Sequence, residues 1–260
     1  MTLPKEDLAQ LRRAKELLEN PGLAAKLSGV LGTPFEKGMK MLPARVQKTV
    51  HTATEAALMK ALDVAVKSLG TRRTTSSNDR MHRIAAAASG AAGGAFGISA
   101  IGIELPLSTT LILRSIAEFA AAEGEDPRQI ETRLACISVF ALGSSKDARD
   151  NAAESGYFAS RAALASAVSE ATRFLAEKGL GKSGGPALVR LIALIASRFG
   201  VVVSQKAAAQ LVPVIGAAGG AIINTIFIGH YQDMARGHFI VRRLEKIHGA
   251  EPVRLAYERL

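Results

Sequence analysis

Two stretches of the chain carry no charged residue, and they constrain its fold more than any other feature. Residues 84–103 run uncharged for 20 positions and residues 207–229 for 23. Either is long enough to cross a hydrocarbon core of about 30 Å as a helix. Such runs must be buried in a helical interior or placed in lipid, but alanine and glycine gain little on leaving water compared with leucine or phenylalanine. The first run holds only Phe96 as a large aromatic and has no leucine or valine. The second is stronger, with Leu211, Val212, Val214, Ile215, Ile222, Ile223, Ile226, Phe227 and Ile228, yet Pro213 and Asn224 interrupt it. Two buried core helices fit this composition better than two membrane spans, with insertion as the alternative.

The runs share a pentapeptide. Gly90-Ala91-Ala92-Gly93-Gly94 recurs as Gly216-Ala217-Ala218-Gly219-Gly220, which makes the pair a candidate internal duplication. Gly90 and Gly94, and likewise Gly216 and Gly220, lie four apart, so each helix presents a face without Cβ atoms that another helix can approach closely. Glycine within a helix costs roughly 1 kcal/mol against alanine, so close packing is expected to offset it. The repeat also pairs Glu104 with His230, each ten residues beyond its pentapeptide.

The rest of the pattern is helical. Val46, Val50, Ala53, Ala57, Leu58, Ala61, Leu62, Ala65 and Leu69 recur at three and four residues. Thr71 to Asn78 is a polar break. Pro106 is expected to open a helix toward Gly124, and Asp126-Pro127 another toward Gly143. Val201-Val202-Val203 is the one run that suggests a strand. No alternating pattern or hairpin signal repeats, so the expected class is all-α, a multi-helix bundle with two glycine-rich central helices. The chain divides into a basic helical segment, residues 1–42, and a helical domain, residues 43–260.

Hydrophobic residues make up 48% of the chain, enough for a packed core, and the net charge is +10. The excess is mostly N-terminal: residues 1–83 hold 15 basic and 8 acidic groups, including Arg72, Arg73, Arg80 and Arg83. Such a surface favours anionic partners, lipid headgroups or phosphodiesters. Residues 1–83 offer one aromatic, Phe35, and no nucleic-acid reading motif, which favours the membrane. The lone Cys136 excludes a disulfide framework and a cysteine-built zinc site. The first 20 residues mix charges without an apolar stretch of signal-peptide length, so the cytoplasm is the expected compartment.

Catalytic motifs are weak. Ala176 to Ser183 satisfies a loose phosphate-loop string, but a helix pattern precedes it where a strand is needed. Glu245-x-x-His248 has di-iron spacing without a second copy and reads as a solvated terminal helix. His51, His82, His230 and His238 form no ligand spacing, and no Gly-x-Ser-x-Gly elbow occurs. No metal or cofactor is expected. The polar residues of interest are Glu104, Arg114, Tyr157, Arg161, Asn224 and His230, which a hydrolase would gather in a pocket.

These residues also carry a resemblance. Gly90 through Pro106, the Leu-Ile-Leu-Arg114-Ser-Ile segment, Val139 to Gly143, Tyr157 with Arg161, and Val212 to Asn224 resemble the bacterial EcsC family. So do Ala235, His238, Phe239, Arg242 and Leu244, and the likeness spans residues 35–258. Glu104 stands where the family is expected to favour aspartate. The resemblance implies a bacterial, helical, membrane-linked protein associated with an ABC-type transporter, and it supplies no catalytic mechanism. The leading expectation is thus a non-enzymatic protein, cytoplasmic and peripheral to the inner membrane, meeting an anionic membrane surface or a membrane protein complex. A hydrolase, such as a peptidase, built around Glu104 and His230 is the alternative, and a basic nucleic-acid-associated protein is the third.

Overall fold

The computed structural model describes residues 3–19, 22–40, 42–68, 101–143, 156–179, 185–212 and 216–260. Residues 84–100 of the first uncharged run, with Gly90 and Gly94, lie outside these, as do the break at 71–78, Arg72, Arg73, Arg80, Arg83 and Pro213. Among the described residues there are ten α-helices, one 3-10 turn and no strand. They are α1 (Lys5–Glu19), α2 (Leu23–Leu31), α3 (Thr33–Lys40), α4 (Ala44–Ser68) and α5 (Ile101–Ala122). There follow α6 (Ile130–Ser138) with the 3-10 turn Val139–Ala141, α7 (Gly156–Lys178), α8 (Pro186–Gln210), α9 (Gly216–His248) and α10 (Ala250–Arg259). The all-α expectation holds.

The apolar periodicity read from the sequence becomes the core. Every described member of the α4 stripe, Val46 through Ala65, is buried. The second uncharged run is divided between two helices: α8 ends at Gln210, and α9 starts at Gly216, the first residue of the pentapeptide, with Gly220 buried. Two local expectations are corrected. Val201-Val202-Val203 is helical, because three β-branched residues cost a helix only a few tenths of a kcal/mol each, whereas Val202 and Val203 are fully buried and gain roughly 1.5–3 kcal/mol each. Pro106 lies inside α5 instead of opening it; its ring removes the bond to the Gly102 carbonyl, and Gly102 is exposed where water can take that bond.

Cross-helix contacts fix the directions. α5 and α9 run parallel, with Ser115 bonded to Gln232 and Glu123 to Arg243. α8 runs antiparallel to both, and Phe199 packs on Phe227 and Tyr231. α1 lies antiparallel along α9: Asp7 meets His248, and Leu18 meets Gly237. The Val66 carbonyl, near the end of α4, accepts a bond from Arg133, which also donates to the Pro127 carbonyl in the loop after α5. α4 therefore runs parallel to α5. α3 abuts the end of α8, where Gly38 sits beside the Ala208 carbonyl.

One end of the bundle thus gathers the starts of α4, α5 and α9 with the ends of α3 and α8. The other gathers the ends of α4, α5 and α9 with the start of α1. All of α1 to α10 except the surface turns contribute to a single core cluster, so residues 5–40 pack with the remainder.

On α9 a neighbouring helix approaches Gly237 closely. A Cβ there would lie 2.6 Å from Leu18 Cγ and 2.9 Å from the Ala14 carbonyl oxygen. Gly229 on the same helix has nothing within 4 Å of that position. Gly237→Ala is expected to destabilise by about 1–3 kcal/mol despite alanine's better helix propensity. Gly229→Ala is expected to stabilise by up to about 1 kcal/mol. Urea unfolding of the two variants should move the midpoint in opposite directions.

Candidate functional site

A lysine shielded from solvent sits where α5, α8 and α9 meet. Lys206, on α8, is fully buried. Its Nζ donates to Glu104 Oε1 at 2.5 Å and to Asn224 Oδ1 at 2.7 Å, and it stands 4.5 Å from the centre of the Phe227 ring. An ammonium has three protons, and here a carboxylate, an amide oxygen and an aromatic face receive them. Asn224 and Phe227 are three apart on α9, so one helical face supplies two of those partners. Glu104 Oε2 accepts a bond from Gln210 Nε2 at 3.1 Å, one turn after Lys206.

Burial pulls the Lys206 ammonium below its ordinary lysine value, and the Glu104 charge and hydrogen bond work against that fall. This geometry holds three helices in register. It does not present the amine to a substrate, because both heteroatom partners are themselves buried.

A second polar group lies between α7 and α9. Tyr157 hydroxyl meets His238 Nδ1 at 3.0 Å, and Arg161 Nη1 donates to the same hydroxyl at 3.3 Å. Arg161 also forms a two-pronged pair with Glu245, at 2.7 and 2.9 Å. Burial raises the Tyr157 hydroxyl above its usual range, so it stays protonated and donates to His238. Burial first, then Arg161 and Arg242, holds His238 well below its ordinary value, so the imidazole is neutral.

The polar residues singled out from the sequence therefore fall in separate places. Glu104 and Asn224 share Lys206, while Tyr157 and Arg161 share the α7–α9 group. His230 belongs to neither. It is buried against Gly143, where an added Cβ would lie 2.5 Å from its Nε2 and where the φ of 73° also favours glycine. Its pKa falls to about 4, mainly by burial, with Lys26 adding to the fall and Asp233 opposing it. Arg114 is exposed. No hydrogen bond among the described residues joins Glu104 to His230.

Sequence reasoning missed Lys206, Gln210 and Glu125. Lys206 immediately precedes the second uncharged run, and a lysine bounding an apolar helix reads as a water-side terminus. Its signal was the polar spacing Lys206, Gln210 in an otherwise apolar turn. Glu245 and His248 are not a solvated pair: Glu245 holds Arg161, and His248 Nε2 meets Asp7 at 2.7 Å. Glu125, buried in the loop after α5, takes Arg242, Lys246 and Thr132. Burial tends to raise its carboxyl, but the two cations outweigh it and hold it below the ordinary value. No group of three His, Cys, Asp or Glu side chains among the described residues is placed to hold a metal ion.

The model of the EcsC protein family matches residues 5–244. No curated protein and no solved structure matches the chain.

Removing one member of the central pair should expose the other's cost. Lys206→Met is expected to destabilise by about 3–5 kcal/mol, because Glu104 is left buried without its cation. Adding Glu104→Leu should restore most of the loss, since neither charge is then stranded. Denaturant midpoints of the single and double variants decide this. Acid should act through the histidines. The unfolded chain binds a proton near 6.5, whereas folded His230 does so only near 4, so stability present above pH 6.5 is lost as pH falls toward 4. That loss should reach roughly 3 kcal/mol for His230, with His238 adding in the same direction. In urea melts across this range, His230→Gln should show a shallower decline than the parent.

Proposed function

The chain belongs to the EcsC protein family, and from that premise we propose that it is a non-enzymatic helical protein that attaches peripherally to the cytoplasmic face of the inner membrane. Its role there would be linked to transport or the cell envelope. One observation carries the reading. Both α5 and α8 are long and apolar enough to cross a bilayer, yet about half of each is buried in the bundle. The remainder leaves Ile103, Leu107, Val189, Leu194 and Val201 exposed.

Attachment is favoured over insertion by the charges on the same helices. Arg114 is exposed near the middle of α5. α8 carries Arg190, Arg198 and Lys206 at intervals of eight, each engaged by Glu170, Ser160 or Glu104 on a neighbouring helix. An arginine or lysine at the centre of a spanning helix costs about 2.5–3.5 kcal/mol on insertion scales. A basic protein that leaves apolar side chains on its surface meets lower opposition at a headgroup boundary than across the hydrocarbon. A hydrolase has less support, since Glu104 and Asn224 serve one cluster, Tyr157 and Arg161 another, and His230 joins neither.

Cell fractionation tests the reading. The protein should sediment with membranes and be released by alkaline carbonate. Recovery wholly in the soluble fraction before any wash would remove the membrane from its function, and resistance to carbonate would replace attachment with insertion.

A further inference from the structure

The two ends of the bundle differ in chemistry. The end holding the start of α1 and the ends of α5 and α9 is laced by ion pairs: Glu123 with Arg243, Glu125 with Arg242 and Lys246, Asp7 with His248. The opposite end has aliphatic side chains in water. Ile103 is 75% exposed and Leu107 57% on adjacent turns of α5, Ile222 is 48% exposed on α9, and Leu211 is 36% exposed just past α8. All four lie close in sequence to the Lys206 cluster: Ile103 and Leu107 flank Glu104, Ile222 is two residues before Asn224, and Leu211 follows Gln210.

Cations lie at the same end of the bundle. Lys37 and Lys40 on α3 and Arg45 and Lys48 on α4 are exposed at the junction that opens α4, and none is in a salt bridge among the described residues. The sequence places no carboxylate between Glu36 and Glu55, and none between Glu177 and Asp233. The one carboxylate of this end on α5, Glu104, is buried and taken by Lys206 and Gln210. Among the described residues these four surface cations therefore form no ion pair, and the nearest carboxylate on α3, Glu36, accepts a bond from Ser28.

We propose that this end of the bundle is the surface that docks onto an anionic bilayer, with Ile103, Leu107, Leu211 and Ile222 entering the headgroup boundary and Lys37, Lys40, Arg45 and Lys48 meeting lipid phosphates. The proposal rests on the membrane reading above and adds to it the orientation of the molecule. Aliphatic insertion and a basic rim are the two contributions that hold a peripheral protein on acidic lipid. A nucleic acid would use the cations but would gain nothing from four exposed aliphatic groups, and stacking aromatics are lacking among the residues named.

The experiment uses the full chain with phosphatidylcholine vesicles, prepared with and without phosphatidylglycerol. Cys136 is fully buried and burial pushes its thiol up to about 12, so an introduced surface cysteine takes a thiol-directed, polarity-sensitive dye selectively. Leu107→Cys reports on the proposed end, and Ile247→Cys, at an exposed apolar site of the opposite end, is the control. The Leu107 label should shift to the blue on phosphatidylglycerol vesicles while the Ile247 label does not. Joint reversal by Lys37→Glu, Lys40→Glu, Arg45→Glu and Lys48→Glu should weaken binding at least about tenfold, while Arg12→Glu with Arg13→Glu on α1 should leave it near the parent value. Circular dichroism checks that each variant is folded.

If the parent ignores both kinds of vesicle, or binds duplex DNA in place of them, the docking surface and the membrane reading fall together. If the parent binds phosphatidylglycerol vesicles but the Ile247 label shifts instead, or the fourfold reversal binds as well as the parent, this end is not the docking surface and the membrane reading stands.

Discussion

The sealed ammonium of Lys206 is the interaction on which the rest of this structure depends. Moving a lysine out of water is unfavourable by several kcal/mol unless its protons find acceptors. Here the acceptors come from two other helices, Glu104 on α5 and Asn224 with Phe227 on α9. A slip of any one helix by a turn, about 5.4 Å, would break the set. Apolar packing alone would tolerate such slips among alanine-rich surfaces, whose side chains are small and alike. The buried charge therefore supplies register that the alanines of these helices cannot.

The same logic extends along α9. Asn224 serves α8, Gln232 serves α5, Asp233 reaches Lys26 on α2, His238 and Glu245 reach α7, and His248 reaches α1. Between them these polar groups reach five neighbouring helices, α1, α2, α5, α7 and α8, and among them lie Phe227, Tyr231, Ala235 and Phe239 in the core. A helix that is polar in an ordered way, among apolar residues, is thus the axis on which the others are hung.

What could be read from the sequence follows from range. The α4 stripe is a local property, fixed by 3.6 residues per turn, and its described positions are all buried. The helical class was legible for the same reason. Local rules also misled: three valines in a row suggested a strand, and a proline suggested a start, because neither the burial of Val202 nor the exposure of Gly102 is written nearby. The partners of the site were hidden altogether. Lys206 and Glu104 are 102 residues apart, and Arg161 and Glu245 are 84 apart, so no spacing rule links them. Glu104 and Asn224 were recognisable as unusual, but not as two claims on one lysine.

The docking of α1 on α9 has a consequence for how the chain is made. Asp7, Gln10 and Leu18 find their partners at His248, Arg243 and Gly237, more than 200 residues later. A ribosome delivers residues in order, at about 5–20 per second, so α1 waits on the order of ten seconds or more for its seat to emerge. During that interval the apolar faces of α1, α2, α5, α7 and α8 share the lack of a common axis. Assembly of this seam therefore waits until α9 has been made, and the early helices lack the surface they pack on until it arrives.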